Sequence, residues 1–186
     1  MSISQSLGSS GLALLLICVP AACSDAITPA PVPTTATQVG WQAVYFKPHE
    51  FASKGNGAMG VQPRLVAALD ATRAAFGRPI RILSGYRDPA HNRRIGGAPK
   101  SRHVVGDAVD IDLSRYDNWA RYALVWHLID NGFTSFGTYG DRPNMLHADM
   151  RPRAAIWRHG GGRHPDWLRR ALAEWRWEPI GGSPFR

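Results

Sequence analysis

The chain has 186 residues, enough for one domain of ordinary size with its own core, and 44% of them are apolar. Its 22 Lys and Arg residues outnumber 14 Asp and Glu residues, and the net charge of +8 attracts nucleic acid, anionic lipid headgroups or acidic wall polymers without choosing between them. Both cysteines, Cys18 and Cys23, lie in the N-terminal apolar segment, which excludes a disulfide or a thiolate metal site in the rest of the chain. A metal site there needs His and carboxylate ligands.

The N-terminus is typical of an export signal. Residues 11–19 (GLALLLICV) are too few for a membrane span, which needs about 20 apolar residues, but they fit the apolar part of a signal peptide. Small residues and then Cys23 follow, as in a lipobox, although Pro20 stands where leucine is usual and a basic start is missing. We predict a signal peptide over residues 1–23, export to the periplasm or cell envelope, and a membrane tether through a lipid on Cys23. Signal cleavage without lipidation is the alternative.

The remaining chain divides into a linker and a domain. Residues 24–40 are rich in Pro, Thr and Ala and lack apolar periodicity, which predicts an extended tether. The domain, residues 41–186, mixes helices and short strands without a βαβ rhythm, which predicts an α+β fold with a small antiparallel sheet and flanking helices. The predicted helices are Pro63–Phe76, Asp117–Asn131 and an amphipathic C-terminal Pro165–Trp175, with a helical turn at Asp88–Arg94; the predicted strands are Pro79–Ser84, Gly106–Leu113, Phe133–Tyr139 and Met145–Met150.

Two of these helices have clear boundary signals. Pro63 suits the first position of a helix and Gly77 suits its C-terminal end. Asp117 can cap the second helix and Gly132 can end it. The predicted buried faces are Leu65, Leu69, Thr72 and Phe76 in the first helix, Trp119, Tyr122, Trp126 and Ile129 in the second, and Trp167, Leu168, Ala171, Leu172 and Trp175 in the last.

The segment SRHVVGDAVD carries the chemistry. His103 lies in a loop before the predicted strand that contains Asp110, and this loop can fold back so that imidazole and carboxylate converge. Gly106 is small and lets the backbone approach an ion closely. His147, on a separate predicted strand, is the natural third ligand. Two imidazoles and one carboxylate leave the fourth tetrahedral position open, as in catalytic zinc sites, where the metal lowers the pKa of its water to about 7 and polarises a carbonyl for amide hydrolysis.

The motif S-x-H-x-x-G-x-A-x-D at residues 101–110 is preceded by SGYRDPAHNRRIGGAPK and followed by HADMR and a tryptophan. This pattern resembles the M15 zinc peptidases, above all the branch with an H-x-D second motif, as in murein endopeptidases. The resemblance covers about residues 46–157. It implies a zinc domain like those of hedgehog proteins and D-Ala-D-Ala peptidases, zinc as cofactor, and peptidoglycan stem peptides as partners. The ligands that it implies are His103, Asp110 and His147.

Two further side chains are predicted to act in catalysis. Arg87 of SGYR matches an arginine that contacts substrate in the family, and arginine pairs well with a carboxylate; a structural salt bridge is the alternative. Many members place an acid three residues before the last His ligand as general base, but this chain has Asn144 there. We predict Asp149 as the base, because it shares a strand face with His147. Asp141 is the rival, and a role of Asp149 in orienting a ligand is the alternative.

The sequence therefore predicts a zinc-dependent peptidase that cuts peptidoglycan stem peptides or cross-links, a murein endopeptidase that acts as a monomer. A D-Ala-D-Ala-type carboxypeptidase and a non-hydrolytic zinc-bearing wall-binding module are alternatives, the second because of Asn144. A nucleic-acid binder is suggested by charge alone; the chain lacks a recognition motif and carries an export signal, so we expect no nucleic-acid partner. Four other histidines are not expected to bind the metal: His91, His127, His159 and His164.

Overall fold

The computed structural model describes residues 40–174. The predicted signal peptide, Cys23, most of the linker and Trp175 lie outside the described residues, so the expectations about them stay predictions. No helix within residues 40–174 is long and apolar enough to cross a membrane.

The described chain contains helices and strands in mixed order. The helices are α1 (Pro63–Phe76), α2 (Pro89–Arg94), α3 (Arg102–Val105), α4 (Asn118–Asp130) and α5 (Asp166–Glu174), and a short 3-10 helix covers Pro48–Glu50. The strands are β1 (Ile82–Ser84), β2 (Ala108–Asp112), β3 (Ser135–Tyr139), β4 (Met145–Asp149) and β5 (Ala155–His159). This arrangement confirms the predicted α+β class.

The strands form one sheet in the order β1-β2-β4-β3-β5. Neighbours pair antiparallel except β3 and β5, which run parallel. The predicted antiparallel pairing therefore holds for β1, β2, β4 and β3, but the sheet is mixed because β5, which is not among the predicted strands, pairs parallel with β3. Residues 150–154 carry the chain past the start of β3, where the Thr134 hydroxyl donates a hydrogen bond to the Arg151 carbonyl at 2.6 Å. This short crossing places β5 on the far side of β3.

The two faces of the sheet differ in chemistry because side chains alternate along each strand. One face joins the helices in the hydrophobic core, which extends over α1, α4 and α5. The opposite face carries Asp110 and His147, which pair with each other across β2 and β4. The residues of the core face are Val109, Ile111, Phe136, Leu146 and Ala148.

Helix α1 has the predicted limits. It begins at Pro63 and ends before Gly77, whose φ of 69° is the left-handed conformation that glycine adopts most readily. The predicted buried faces of α1 and α5 are confirmed for Leu65, Leu69, Thr72, Phe76, Trp167, Leu168, Ala171 and Leu172.

Helix α4 begins as predicted but buries a different face. The Asp117 carboxylate accepts a hydrogen bond from the Ala120 amide at 2.8 Å and so caps the first turn. Trp119 was predicted to be buried, but it is 69% exposed and stacks on Tyr122 with the ring centroids 5.0 Å apart. Smaller side chains instead line the buried face of α4, which packs against α1 and α5. These buried residues are Ala120, Leu124, Val125, Leu128 and Ile129.

Candidate metal centre

A single row of residues crosses the sheet on the face opposite to the core. Asp110 in β2 pairs with His147 in β4, His147 pairs with Gly137 in β3, and Gly137 pairs with Trp157 in β5. Because paired residues on neighbouring strands point to the same side, the row places a carboxylate, an imidazole and an indole next to one another. The register of the sheet therefore positions the residues of the site that lie on the strands.

His103 reaches this row from α3, a single helical turn rather than the predicted loop. The turn ends at Gly106, whose φ is 83° and whose position leaves no room for a side chain, since a Cβ there would lie 1.8 Å from the Gly60 carbonyl oxygen. This close approach to Gly60 explains the glycine better than the expected approach to an ion. The His103 Nδ1–H group donates to the Gly85 carbonyl at 2.7 Å, which turns Nε2 toward the sheet.

The three predicted ligands meet at one point. Asp110 Oδ1 lies 3.2 Å from His103 Nε2 and 3.1 Å from His147 Nδ1, and the two nitrogens are 3.1 Å apart. All three residues are buried, at most 5% exposed. These are the residues among 40–174 whose ligand atoms are grouped closely enough to hold a metal ion.

The outer hydrogen bonds fix which ring nitrogens carry protons. His103 donates through Nδ1, which leaves a lone pair on Nε2. His147 Nε2 lies 2.9 Å from Asp149 Oδ2 and is assigned as the donor, which leaves a lone pair on Nδ1. Two nitrogen lone pairs and a carboxylate oxygen then face one another. Because all three carry negative charge density, they repel one another unless a cation lies between them. The donor set therefore fits a metal ion.

The electrostatics of the group agree with this assignment. Burial lowers the pKa of His103, which keeps that ring neutral. Burial alone would raise the pKa of Asp110, but His103 and His147 together bring it below the ordinary value, so the carboxylate is ionised. Against the opposing effect of burial, Asp110 and Asp149 raise the pKa of His147. Because the pKa of His147 is raised, protons compete with a metal ion for the lone pair on its Nδ1.

Asp149 is completely buried behind His147. Its Oδ2 accepts from the imidazole, and its Oδ1 accepts from the amide of Arg151 at 3.1 Å and from that guanidinium at 2.8 Å. Burial opposes ionisation, but these contacts lower the pKa of Asp149 to about 2. The sequence signal for this arrangement was the alternation of His147 and Asp149; the part played by Arg151 was missed.

Arg87 lies on the other side of the group, 16% exposed at its side chain. Its guanidinium pairs with Asp110 Oδ2, and its Nε donates to the Ser84 hydroxyl at 2.9 Å. The backbone amide of Arg87 donates to the His103 carbonyl at 3.1 Å, which ties the SGYR segment to α3. The structure thus places Arg87 against a predicted ligand and leaves Asp110 Oδ1 for the metal.

The other candidate acid and its neighbour point elsewhere. Asp141 is 64% exposed and pairs with Arg142 at 3.4 Å. Asn144 accepts a hydrogen bond from Arg121 at 2.7 Å. Neither side chain makes a described contact with the three predicted ligands.

An aromatic wall beside His147 was missed in the sequence. The Trp157 ring lies 5.3 Å from the His147 ring, and Tyr139 meets Trp157 edge-on at 5.2 Å. Gly137 makes this possible, because a Cβ there would lie 2.1 Å from the indole. Only the pairing of β5 with β3 reveals the wall, and no local pattern predicts that pairing.

Comparison with known families agrees with this geometry. A sequence model of the family described as Peptidase M15 matches residues 44–149, which include the 3-10 helix, the first four helices, the first four strands and all three predicted ligands. A search of curated proteins found no relative. The match covers more than half of the chain, and the buried His-Asp-His group fits the metal that such an enzyme uses. The chain belongs to the M15 peptidase family and is a metallopeptidase.

Proposed function

We propose that this protein is a zinc-dependent peptidase that hydrolyses peptide bonds in peptidoglycan stem peptides or cross-links, as a murein endopeptidase. The observation that carries the proposal is the convergence of His103 Nε2, Asp110 Oδ1 and His147 Nδ1 within 3.2 Å of one another. Two imidazoles and one carboxylate are typical ligands of catalytic zinc, which leaves one position of a tetrahedron free. Zinc bound there would act as a Lewis acid. It would also lower the pKa of a water molecule, so that the water becomes a nucleophile able to attack an amide near neutral pH.

The protein's own residues prepare the site in two ways. Arg87 engages Asp110 Oδ2, so that Oδ1 remains directed at the two imidazoles. Asp149 accepts from His147 Nε2 and thereby fixes the ring orientation and tautomer. Amide hydrolysis also needs a group that takes a proton from water and passes it to the leaving amine.

The sequence predicts Asp149 for this proton transfer, and the contacts of its two oxygens bear on that prediction. Both of its oxygens are engaged, one by His147 and both by Arg151. These contacts support the role of orienting His147 over the role of general base. The base assignment stays a prediction that the Asp149→Asn variant tests.

Peptidoglycan peptides are proposed as substrates on three grounds. The resemblance is closest to murein endopeptidases, the predicted signal directs the chain to the cell envelope, and the net charge of +8 suits anionic stem peptides. We also propose that a lipid on Cys23 tethers the domain and that residues 24–40 let it reach the wall. A carboxypeptidase that trims D-Ala from the same peptides is the nearest alternative.

One observation favours a second class of function. The position expected to carry a catalytic acid holds Asn144, whose side chain is bonded to Arg121. A zinc-bearing module that binds the wall without cutting it would need no acid there.

The test is mass spectrometry of products after the zinc-loaded protein acts on purified, cross-linked muropeptides. We expect cross-linked dimers to become monomers, and we expect a chelator to prevent this. Loss of a terminal D-Ala instead would identify a carboxypeptidase. Intact muropeptides that still bind the protein would support the non-hydrolytic module.

A further inference from the structure

Arg142 lies in the loop between β3 and β4 and is held against an aromatic ring. Its guanidinium carbon is 4.3 Å from the centroid of Tyr139. Such stacking orients a guanidinium without using its hydrogen-bond donors. Its Nε faces Asp141 at 3.4 Å, but the two side chains are 54% and 64% exposed, so this pair contributes little and leaves the charge available.

Tyr139 connects this cation to the metal centre. It lies two residues beyond Gly137 on β3 and therefore shares the face of the sheet that carries His147. Its ring meets Trp157 at 90°, and Trp157 in turn contacts the His147 ring. The contacts run without a break from Arg142 to the predicted metal ligand.

Four other arginines around the site are paired with buried carboxylates. Arg87 pairs with Asp110, and Arg151 pairs with Asp149. Arg102 and Arg64 both pair with Asp107, which is completely buried. Arg142 differs from these four because its acidic partner among the described residues is exposed to solvent.

We propose that Arg142, stacked on Tyr139, binds a carboxylate of the substrate peptide, and that this contact makes the site select peptides with a carboxylate near the scissile amide. The proposal rests on the proposed peptidase function. A guanidinium offers two parallel donors that match a carboxylate. Burial, and after it the Asp110 carboxylate, raises the pKa of Tyr139, so that its hydroxyl stays protonated and can donate as well.

Stem peptides offer two such carboxylates, the C-terminal one and that of the D-Glu residue. The probes are therefore N-acetyl-L-Ala-γ-D-Glu-L-Lys-D-Ala-D-Ala, its C-terminal amide, and its D-Glu α-amide. Binding to the zinc-loaded full chain is measured by calorimetry, and KM replaces Kd for any peptide that is cleaved. The variants are Arg142→Gln, Tyr139→Phe and Tyr139→Ala, with Arg115→Gln as the control that removes an exposed charge elsewhere.

We expect one of the two amides to bind wild type about tenfold more weakly than the free acid. Arg142→Gln and Tyr139→Ala should bind the free acid as weakly as that amide and lose the discrimination, while Tyr139→Phe and Arg115→Gln should keep most of it. The amide that discriminates identifies the carboxylate. The proposal is overturned if Arg142→Gln keeps the wild-type preference, or if wild type binds all three peptides equally. If cross-linked muropeptides are not cleaved by the zinc-loaded protein, the peptidase proposal fails, but the Kd values of the three peptides still decide this one.

Discussion

The two faces of the central sheet are built from neighbouring residues of the same strands, yet different interactions stabilise them. On the core face, Ile111 and Leu146 are completely buried among apolar side chains of the helices. On the site face, Asp110 and His147 are nearly as inaccessible, but their hydrogen-bond partners are charged or polar. Burial of apolar surface stabilises the core face directly, whereas the site face is stable only when each buried polar group has a hydrogen-bond or ion-pair partner.

This difference implies that substitutions can change the stability of the fold and its metal binding independently. A change on the core face removes apolar contacts that exist with or without a metal ion. A change at the three converging ligands removes a group that is unfavourable until a cation is bound. The two kinds of variant should therefore fail in different measurements.

The largest effect is expected from His103→Ala. Removing this imidazole deletes one of three converging donors, and hydrolysis of muropeptides should fall to background, by roughly a thousandfold or more. Near-wild-type circular dichroism should show that the fold survives. A variant that keeps a substantial part of the wild-type rate would remove His103 from the metal centre.

Leu146→Ala should show the opposite pattern. Leu146 is fully buried next to His147 but points into the core. Its truncation should lower the free energy of unfolding of the metal-free protein by about 2–5 kcal/mol, measured by urea denaturation. The affinity of the folded protein for zinc should stay near the wild-type value. A loss of zinc affinity without a loss of stability would break the comparison between the faces.

Asp149→Asn tests how the carboxylate behind His147 supports the site. Loss of the carboxylate behind His147 should weaken metal affinity by about 10–100-fold, because the ring loses its orienting partner. Metal affinity is measured by competition with a chromophoric chelator. If the variant keeps its zinc but hydrolyses roughly a hundredfold more slowly, Asp149 is the general base instead. Asp141→Asn, at an exposed position, is measured in parallel and should keep both zinc and activity; loss of hydrolysis with zinc retained would assign the base to Asp141.

The site face should also make the metal-free protein sensitive to acid. Asp149 has a folded pKa of about 2 against an ordinary value of 3.8, so it contributes stability above pH 4 that is lost as the pH falls toward 2. The contribution is about 2 kcal/mol. The difference in unfolding free energy between wild type and Asp149→Asn should therefore shrink from pH 5 to pH 2.5. A difference that stays constant would mean that Asp149 is not stabilised as an ion.

Local signals in the sequence predicted the parts of the fold that depend on local interactions. Pro63 and Gly77 gave both ends of α1, because the first needs no amide partner and the second adopts a left-handed turn. The convergence of His103, Asp110 and His147 was also predictable, because His103 and Asp110 are close in sequence and His147 lies on a separate predicted strand.

The features that could not be predicted from the sequence depend on contacts between distant segments. The parallel pairing of β5 with β3 brings Trp157 over Gly137, and neither residue signals this alone. For Arg87 the motif predicts substrate contact, with a structural salt bridge as the alternative, and only the folded chain identifies Asp110 as the partner of its guanidinium. Trp119 fits a helical stripe, yet smaller neighbours pack better and leave it outside.

The most direct test of the central claim is the zinc content of the purified protein after exhaustive dialysis, measured by elemental analysis in wild type and in His103→Ala, Asp110→Ala and His147→Ala. The geometry of the three converging ligand atoms predicts about one zinc ion per chain in wild type and a large loss of zinc in each variant. Leu146→Ala, where it folds, should retain the ion. Equal zinc content in wild type and in the three ligand variants would contradict the account.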